Sequence, residues 1–331
     1  MKPIIAVTRS IEDFIKPLTK SDNYDIRINK ENRPPSKEEL FKLVKDADII
    51  ISLLTDRIDK NVIDAAGSKL KLIANYAVGY DNIDVNAATN KNIAVTNTPD
   101  ASSVAVAEHT MALILATAKR IIEGDKYSRA GKYKFWDPKL FLGIQLGGKT
   151  LGIVGCGRIG NLVAQYCYHG LGMKILYHDI RKNNDLERMT HAYQTSLNKL
   201  LESSDVVSIH VPLMPSTRHM IGREQFSKMK SDSIFINTAR GAIVDENALI
   251  DTLKNKDIFA AGIDVFEDES KINPALKDID NIILTPHIAS ATDEARMEMG
   301  RMVVQNVEAV LQNRVPPGLV NIELRSKFEE E

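Results

Sequence analysis

Arg240, Glu269 and His287 stand out because each follows an apolar segment typical of a strand. Arg240 comes after S-I-F-I-N-T-A, Glu269 lies in G-I-D-V-F-E-D-E, and His287 comes after I-I-L-T-P. A histidine can donate a proton, a nearby carboxylate favours its charged form, and a guanidinium binds a carboxylate through two hydrogen bonds. Together they suit reduction of a 2-keto acid. Taken singly, each is better explained as a surface charge or a polar strand end, and spacing alone cannot bring them together.

A glycine-rich turn indicates a second kind of site. Residues 150–160 read T-L-G-I-V-G-C-G-R-I-G, between an apolar strand and a helical stretch. Gly155 allows a tight turn, Gly157 allows the backbone to approach a pyrophosphate, and Gly160 allows helix and strand to pack closely. The N–H groups of the helix start, at Arg158 and Ile159, would hold the phosphates. The pattern predicts a bound dinucleotide.

Asp179 favours NAD over NADP as that dinucleotide. It lies 19 residues beyond Gly160, at the end of the apolar segment I-L-Y-H-D. A carboxylate at this place accepts hydrogen bonds from the adenosine ribose and repels a 2′-phosphate. The nearby Arg181 weakens this preference without reversing it.

Two series of short apolar segments alternate with helical stretches, which indicates parallel sheets of βαβ units. We therefore predict an α/β fold with two doubly wound parallel-sheet domains. A capping box begins at Ser36, a long helix is expected over Ala101–Ile122 with Gly124 as its C-cap, and the tail Ile322–Glu331 is expected to fray. The segment after residue 289 is too short for a domain, so it is expected to pack on the first series. The predicted strands are Ile4–Val7, Asp25–Ile28, Ile49–Leu54, Leu70–Ala74, Ile93–Thr96, Leu151–Val154, Lys174–His178, Val206–Val211, Ser233–Thr238, Ala260–Val265 and Asn281–Thr285.

Composition excludes several classes of protein. The 331 residues are 44% hydrophobic, and 43 Lys and Arg balance 44 Asp and Glu, for a net charge of -1. This is a globular composition without the basic excess of a nucleic-acid-binding protein. No apolar run approaches the ~20 residues of a membrane span. No metal-ligand motif is present, Cys156 and Cys167 are expected to be free thiols, and the cytoplasm is the expected location.

Several longer motifs resemble the D-isomer-specific 2-hydroxyacid dehydrogenase family. The resemblance extends in order over nearly the whole chain. It is strongest to the glyoxylate/hydroxypyruvate reductase branch, through A-V-G-Y-D-N-I-D and W-D-P-K-L-F-L-G. The matching segments are N-Y-A-V-G-Y-D-N-I-D (75–84), V-T-N-T-P (95–99), L-G-I-V-G-C-G-R-I-G (151–160), N-T-A-R-G-A-I-V-D-E-N-A-L (237–249), A-G-I-D-V-F-E-D-E (261–269) and L-T-P-H-I-A-S-A-T (284–292).

The resemblance implies an architecture. A Rossmann NAD-binding domain, residues 100–288, is inserted into a flavodoxin-like substrate-binding domain built from residues 1–99 and 289–331. It also implies a homodimer in which Gly124–Gly147 reaches the partner.

The resemblance also implies residue roles. Arg240, Glu269 and His287 would form the catalytic set, with His287 as proton donor, and the backbone of Val78 and Gly79 would bind the substrate carboxylate together with Arg240. The residues expected on the nicotinamide side are Asp264, Thr238 and Ala239, and those on the adenosine and pyrophosphate side are Val211, Pro212 and Thr217.

The function that this resemblance favours is NADH-dependent reduction of a small 2-keto acid, glyoxylate or hydroxypyruvate. A D-3-phosphoglycerate or D-lactate dehydrogenase remains open. A phosphorylated substrate needs further cations, for which Arg9, Arg57 and Lys60 are candidates that the sequence does not place. An NAD-sensing protein similar to the corepressors that share this fold is the alternative from another class.

Overall fold

The chain divides into two compact units in the computed structural model, which describes residues 2–31 and 33–329. The terminal unit comprises Met1–Ser102 and Ala291–Glu331, and the central unit comprises Ser103–Ser290. The sequence placed the boundaries after residues 99 and 288. The roles of the units in binding substrate and cofactor stay predictions.

The terminal unit is built on a five-stranded parallel sheet with the order β2-β1-β3-β4-β5. Nearly all of the side chains in its inner strands are buried, as expected when helices cover both faces of a parallel sheet. The predicted capping box at the start of α2 is confirmed, with Ser36 and Glu39 bonding each other's backbone. The strands are β1 Ile4–Val7, β2 Asp25–Ile28, β3 Ile49–Ser52, β4 Leu72–Asn75 and β5 Ala94–Thr96; the helices are α1 Lys16–Thr19, α2 Lys37–Val44, α3 Lys60–Ala66, α4 Val85–Asn90 and, from the C-terminal segment, α13 Asp293–Leu311.

The C-terminal tail is ordered where we expected fraying. Residues Ile322–Phe328 form a 3-10 helix, and Leu324 and Phe328 are buried. Phe328 packs in the same apolar cluster as residues of β1 and α13. The prediction was wrong because the charged composition hid two apolar side chains at helical spacing. Residues 330 and 331, the last two of the tail, lie outside the described residues.

The central unit carries a seven-stranded parallel sheet with the order β12-β11-β10-β9-β6-β7-β8, the Rossmann arrangement. The two units together confirm the predicted fold class. The strands are β6 Thr150–Val154, β7 Lys174–His178, β8 Tyr193–Gln194, β9 Val206–Ile209, β10 Ile234–Asn237, β11 Ala260–Ile263 and β12 Ile282–Leu284; the helices are α5 Ser103–Ala118, α6 Ile121–Arg129, α7 Arg158–Leu171, α8 Asn184–Thr190, α9 Leu197–Ser203, α10 Arg223–Phe226, α11 Glu246–Asn255 and α12 Pro274–Lys277.

The long helix expected over Ala101–Ile122 is instead two helices, α5 and α6. Arg120 between them has a positive φ of 54°, and the carbonyl of Ala118 accepts the N–H of Ile144 at 2.8 Å. Gly124 therefore lies inside α6 and is not a C-cap. A tertiary hydrogen bond ended the first helix, and the sequence pattern contained no sign of it.

Two further features of composition can be checked directly. Cys156 and Cys167 are buried free thiols, as predicted. Over residues 2–31 and 33–329, no helix is both long enough and apolar enough to cross a membrane.

Candidate active site

The three residues proposed for chemistry follow three neighbouring strands. Arg240 comes after β10, Glu269 after β11 and His287 after β12, and these strands are adjacent in the sheet. Because all three strands are parallel, their carboxyl ends meet at one edge, where open α/β sheets bind ligands.

Glu269 lies beside the imidazole of His287. Its Oε2 is 3.2 Å from His287 Nδ1, and its Oε1 accepts the backbone N–H of Phe266, also at 3.2 Å. The Glu269–His287 contact is close enough for an ion pair but is not aligned as a hydrogen bond, so Nδ1 is buried without a hydrogen-bond partner among the described residues. The arrangement directs Nδ1 at a carboxylate and leaves Nε2 for a proton transfer.

His287 has an unusual backbone conformation, with a φ of 53°. Non-glycine residues are uncommon in this region, and functional sites are where such strain is found. The His287 N–H donates to the carbonyl of Asp264 at 2.9 Å. The Asp264 carboxylate accepts the N–H groups of the next two residues, Ile288 at 2.9 Å and Ala289 at 2.8 Å. Asp264 therefore holds the histidine and the two residues that follow it.

Asp264 is fully buried and bound by further donors. Thr285 Oγ1 donates to its Oδ1 at 2.6 Å, and His109 Nε2 lies 3.5 Å from the same oxygen and 3.1 Å from Thr285 Oγ1. Burial alone would raise the pKa of Asp264, but hydrogen bonds from His109, Thr285 and the backbone outweigh it and hold the pKa below its usual range. The carboxylate thus serves as a buried anion that organises the loop. Its predicted contact with a nicotinamide stays a prediction.

His109 and Thr285 are supporting residues that the sequence analysis missed. His109 lies on the apolar helix α5, and the only sign of its role was that it interrupts the apolar run Val104–Ala118. The sequence predicts Thr285 only as the last residue of the strand Asn281–Thr285. Only the fold brings both to Asp264.

Arg240 is placed by a turn closed through Asn237. Asn237 Oδ1 accepts the N–H of Ala239, and its Nδ2 donates to the carbonyl of Arg240, each at 3.0 Å. A Cβ on the following Gly241 would overlap the backbone of Phe266, so only glycine lets this turn pack against the segment that leads to Glu269. The predicted neighbour Thr238 is buried, with its hydroxyl 2.9 Å from that of Thr110.

The glycine-rich turn has the geometry that the sequence predicts. Gly155 has a φ of 93°, and a Cβ there would lie 2.7 Å from the backbone of Val211. Gly160 packs against the carbonyl of Gly155. Gly157 begins α7 without a side-chain cap, and the space beside its Cα is open, so the N–H groups of Arg158 and Ile159 have a cradle in front of them.

Asp179 is attached to this same turn. Its Oδ2 accepts the N–H of Cys156 at 2.7 Å, and its Oδ1 accepts the N–H of Arg181 at 3.0 Å. Each oxygen keeps a second lone pair that a ribose hydroxyl can use. The next side chain, Ile180, is 95% exposed, which the sequence analysis did not single out, and an exposed apolar surface beside a ribose site suits an adenine ring. These residues fit a dinucleotide.

The loop after β9 completes that region. Thr217 Oγ1 donates to the carbonyl of Pro212 at 2.6 Å, and Val211 lies against Gly155. His210 directly precedes Val211. Burial lowers the pKa of His210 to about 3, so its imidazole is neutral. The His210 Nε2 lies 2.8 Å from Ser208 Oγ. The structure thus gathers the predicted phosphate-side residues around the fingerprint.

Val78 and Gly79 belong to the terminal unit, after β4. Asn97 Nδ2 donates to the Val78 carbonyl at 2.7 Å, and Asn75 Nδ2 donates to the Gly79 carbonyl at 2.8 Å. In a trans peptide the following N–H points away from the carbonyl. These bonds therefore fix the directions of the next N–H groups, those of Gly79 and Tyr80, at the carboxyl edge of the sheet.

Comparison with known proteins identifies the family. The fold and the glycine-rich turn already define a doubly wound α/β protein with a dinucleotide fingerprint. Residues 111–289 match the family model of the D-isomer specific 2-hydroxyacid dehydrogenase NAD binding domain. The chain is 46% identical over 328 residues to the glyoxylate reductase of Korarchaeum cryptofilum, covering 98% of this chain and 97% of that one. The chain therefore belongs to the D-isomer specific 2-hydroxyacid dehydrogenase family, which confirms the resemblance.

Solved structures agree with this assignment. A protein from Thermus thermophilus matches with a TM-score of 0.87 and 39% identity, over 96% of this chain and 99% of that one. D-lactate dehydrogenase from Aquifex aeolicus, solved with NAD and lactic acid, matches with a TM-score of 0.83 and 33% identity, over 93% and 95%. Membership places the chain among oxidoreductases that act on 2-hydroxy acids and identifies residues 111–289 as a nicotinamide cofactor domain.

Proposed function

We propose that the protein reduces a small 2-keto acid, glyoxylate or hydroxypyruvate, to the 2-hydroxy acid with NADH. The observation that carries this proposal is the His287–Glu269 pair, at 3.2 Å, on the carboxyl edge of the sheet in the cofactor domain. A histidine poised against a carboxylate is the proton donor that carbonyl reduction requires. The 46% identity to a glyoxylate reductase supports the choice of substrate.

Each catalytic side chain has a distinct task. His287 donates a proton from Nε2 to the keto oxygen, while Glu269 faces Nδ1 and stabilises the imidazolium before the transfer. Arg240 binds the substrate carboxylate and polarises the carbonyl, since a guanidinium stays charged throughout. The backbone around Val78 and Gly79, through the N–H groups of Gly79 and Tyr80, adds donors for the carboxylate. A bound nicotinamide supplies the hydride.

The cofactor is held by the residues that surround the fingerprint. The N–H groups of Gly157, Arg158 and Ile159 bind the pyrophosphate, and Asp179 binds the ribose hydroxyls. We propose NADH over NADPH because a 2′-phosphate would meet the Asp179 carboxylate. The remaining contacts that we assign to the cofactor are with Val211, Pro212, Thr217, Thr238, Ala239 and Asp264.

We also propose that the protein is a homodimer and that Gly124–Gly147 contacts the partner. This segment exposes aromatic side chains to solvent, among them Phe135 at 74% and Trp136 at 76%. Exposed apolar clusters of this kind are typical of interfaces. Sedimentation velocity should give a dimer mass for the wild type and a weaker dimer for Trp136→Ser.

The decisive experiment is NADH oxidation with glyoxylate, hydroxypyruvate and pyruvate, in the wild type and in His287→Ala. We expect kcat to fall about 10²- to 10⁴-fold in the variant, the usual contribution of general acid catalysis. NADH should still bind, as measured by fluorescence, because His287 does not hold the cofactor. Near-normal turnover without His287 would contradict the mechanism. NADH binding without turnover in the wild type would instead favour a sensing role.

A further inference from the structure

The terminal unit has a topological switch point of its own, between β1 and β3. In the order β2-β1-β3-β4-β5 the chain continues to one side of the sheet after β1 and to the other side after β3. The connections after these two strands therefore diverge, and in open α/β sheets ligands bind outside the carboxyl ends of the strands at such a point. Thr8 and Arg9 follow β1, and Leu53 to Asp56 follow β3.

Asp56 joins these two loops and faces the interior. Its Oδ2 accepts the Thr8 hydroxyl at 2.5 Å and the Leu53 N–H at 2.8 Å, and the residue is only 3% exposed. Its Oδ1 is buried without a hydrogen-bond partner among the described residues. Burial raises the pKa of Asp56, against the hydrogen bonds from Thr8 and Leu53 and the charge of Arg9 that act to lower it.

Arg9 is a partly buried guanidinium that forms no ion pair with the residues that the structure describes. Its Nη2 donates to Thr55 Oγ1 at 3.2 Å, and its Nε is buried with no hydrogen-bond partner among residues 2–31 and 33–329. In the part of the chain that the structure describes, no carboxylate oxygen lies within 4.0 Å of the Arg9 side-chain nitrogens. By contrast, the partly buried Arg120 forms an ion pair with Glu123. The cation at this switch point is therefore available to an anion from outside.

Hydrogen bonds connect this place to the turn that we propose for the substrate carboxylate. Asn75 Nδ2 donates to the Gly79 carbonyl and lies 3.2 Å from Asn82 Oδ1. Asn82 Nδ2 in turn donates to the carbonyls of Leu53 and Asp56, each at 3.0 Å. The turn at Val78–Gly79 and the loop after β3 are thus parts of one hydrogen-bonded edge of the terminal unit.

The spacing of the strands suits a ligand with two charged ends. β1 and β4 flank β3, so their carboxyl ends are about 10 Å apart, two strand spacings. A three- or four-carbon keto acid whose carboxylate is bound after β4 would place a group at its far end within reach of the Arg9 side chain. Glyoxylate has no such group.

We propose that Arg9, with Thr55, forms a second anion subsite that extends the substrates of the protein from glyoxylate and hydroxypyruvate to 2-keto acids that carry a phosphate or a second carboxylate. This rests on the proposed function, in which the terminal unit binds the substrate carboxylate. A guanidinium presents two parallel N–H donors to either anion, so the subsite recognises the shared charge and geometry.

The test compares kcat/KM for glyoxylate, oxaloacetate and 3-phosphohydroxypyruvate at saturating NADH. We compare the kcat/KM for a dianionic substrate divided by the kcat/KM for glyoxylate. The variant Arg9→Gln should lower this ratio about 10- to 100-fold, mainly by raising the KM for the dianionic substrate, because charged hydrogen bonds are lost. Arg9→Lys should recover part of the ratio that Arg9→Gln loses. Arg57→Gln is the matched control, because it removes the same charge from the neighbouring loop, and its ratio should stay within twofold of the wild type. The substrate whose ratio falls shows whether phosphate or carboxylate is preferred.

Several outcomes overturn the subsite. An equal loss of kcat/KM for all three substrates in Arg9→Gln would show that Arg9 does not distinguish between substrates. Equal effects of Arg9→Gln and Arg57→Gln would show that only the positive charge of the whole region matters. If the wild type reduces no keto acid, the proposed function fails, and calorimetry with malate, 3-phosphoglycerate and lactate then tests the subsite directly. The subsite requires that a dianionic ligand binds the wild type more tightly than lactate does, and that Arg9→Gln removes this advantage. Melting temperatures verify that each variant is folded.

Discussion

Asp264 of the central unit and Asp56 of the terminal unit are both buried carboxylates in loops that follow a strand. They differ in how their oxygens are used. Both oxygens of Asp264 accept hydrogen bonds, and the donors include Thr285 and two backbone N–H groups. Only Oδ2 of Asp56 accepts hydrogen bonds, and its Oδ1 has no partner among the described residues.

The difference decides the charge of each group. Burial acts to raise both pKa values, but the donors around Asp264 outweigh it and lower the pKa, whereas burial prevails at Asp56 and raises it. Asp264 is therefore a firmly ionised anchor for the strained loop of His287. Asp56 joins two loops, and Arg9 beside it has no close ion pair within the described part of the chain. The number of donors at a buried carboxylate separates the loop that we propose for catalysis from the loop that we propose for binding a ligand.

Replacing each aspartate by asparagine tests this comparison most strongly. In Asp264→Asn an amide N–H would face one of the backbone N–H donors, and a buried donor would lose its acceptor. We expect a cost of about 2–4 kcal/mol in the free energy of unfolding and a fall in kcat, because the His287 loop is released. Asp56→Asn is the matched control. Its amide oxygen can take the place of Oδ2 and still accept from both Thr8 and Leu53, while the amide nitrogen takes the place of the unpartnered Oδ1, so we expect a change below about 1 kcal/mol.

Urea unfolding of the three proteins, together with kcat for glyoxylate, gives the measurement. Equal destabilisation by the two substitutions would show that donor number does not distinguish the two sites. An unchanged kcat in a folded Asp264→Asn protein would show that Asp264 is not needed to hold the loop of His287 for catalysis.

Asp179 extends the comparison to a carboxylate that is only half-buried. Like Asp264 it accepts two backbone N–H groups, but its oxygens remain accessible to a ligand. Like charges in close contact cost up to several kcal/mol, so we expect the wild type to prefer NADH over NADPH by more than about tenfold in kcat/KM. Asp179→Ser removes the repulsion and should narrow that preference. Equal use of both cofactors by the wild type would refute the role of Asp179.

The substitution Glu269→Gln tests whether Glu269 acts on His287 through its negative charge. Glu269→Gln keeps the shape and the acceptor for the Phe266 N–H but removes the negative charge beside His287. If the negative charge of Glu269 stabilises the protonated imidazole, Glu269→Gln should lower kcat for glyoxylate reduction about 10-fold or more at a fixed pH, with the KM for glyoxylate nearly unchanged. A kcat equal to that of the wild type would show that Glu269 acts only by shape.

The smallest expected effect is the pH dependence of stability. The lowered pKa of Asp264 contributes stability that is present above the unfolded value of about 3.9 and is lost as the pH falls through the folded value. The raised pKa of Asp56 has the opposite sign, because ionising Asp56 costs stability at neutral pH and the cost disappears on acidification. The wild type should therefore gain a few degrees in Tm, at most, relative to Asp56→Asn between pH 7 and pH 4. A constant difference in Tm would contradict the raised pKa.

The sequence by itself determined most of the strands and the cofactor turn. All of the predicted strands are present, because runs of apolar residues separated by helical stretches have few other ways to be buried. Gly155, Gly157 and Gly160 are where the fingerprint places them, because backbone conformation and close packing are local demands that only glycine meets. The family could be recognised for the same reason, since its motifs are contiguous.

Tertiary structure decided what local patterns could not express. The end of α5 before Arg120 depends on the hydrogen bond from Ile144. The 3-10 helix at the C-terminus depends on packing against the sheet of the terminal unit, whose strands lie far away in the sequence. The short strand β8 forms only because it pairs with the edge of β7. The same holds for chemistry. His109 and Thr285 reach Asp264 from distant parts of the chain, and Arg9 meets the loop of Asp56 because β1 and β3 are neighbours. Side chains more than a hundred residues apart act on one carboxylate only after the strands that carry them have paired, because Coulomb and hydrogen-bond energies depend on distance in space.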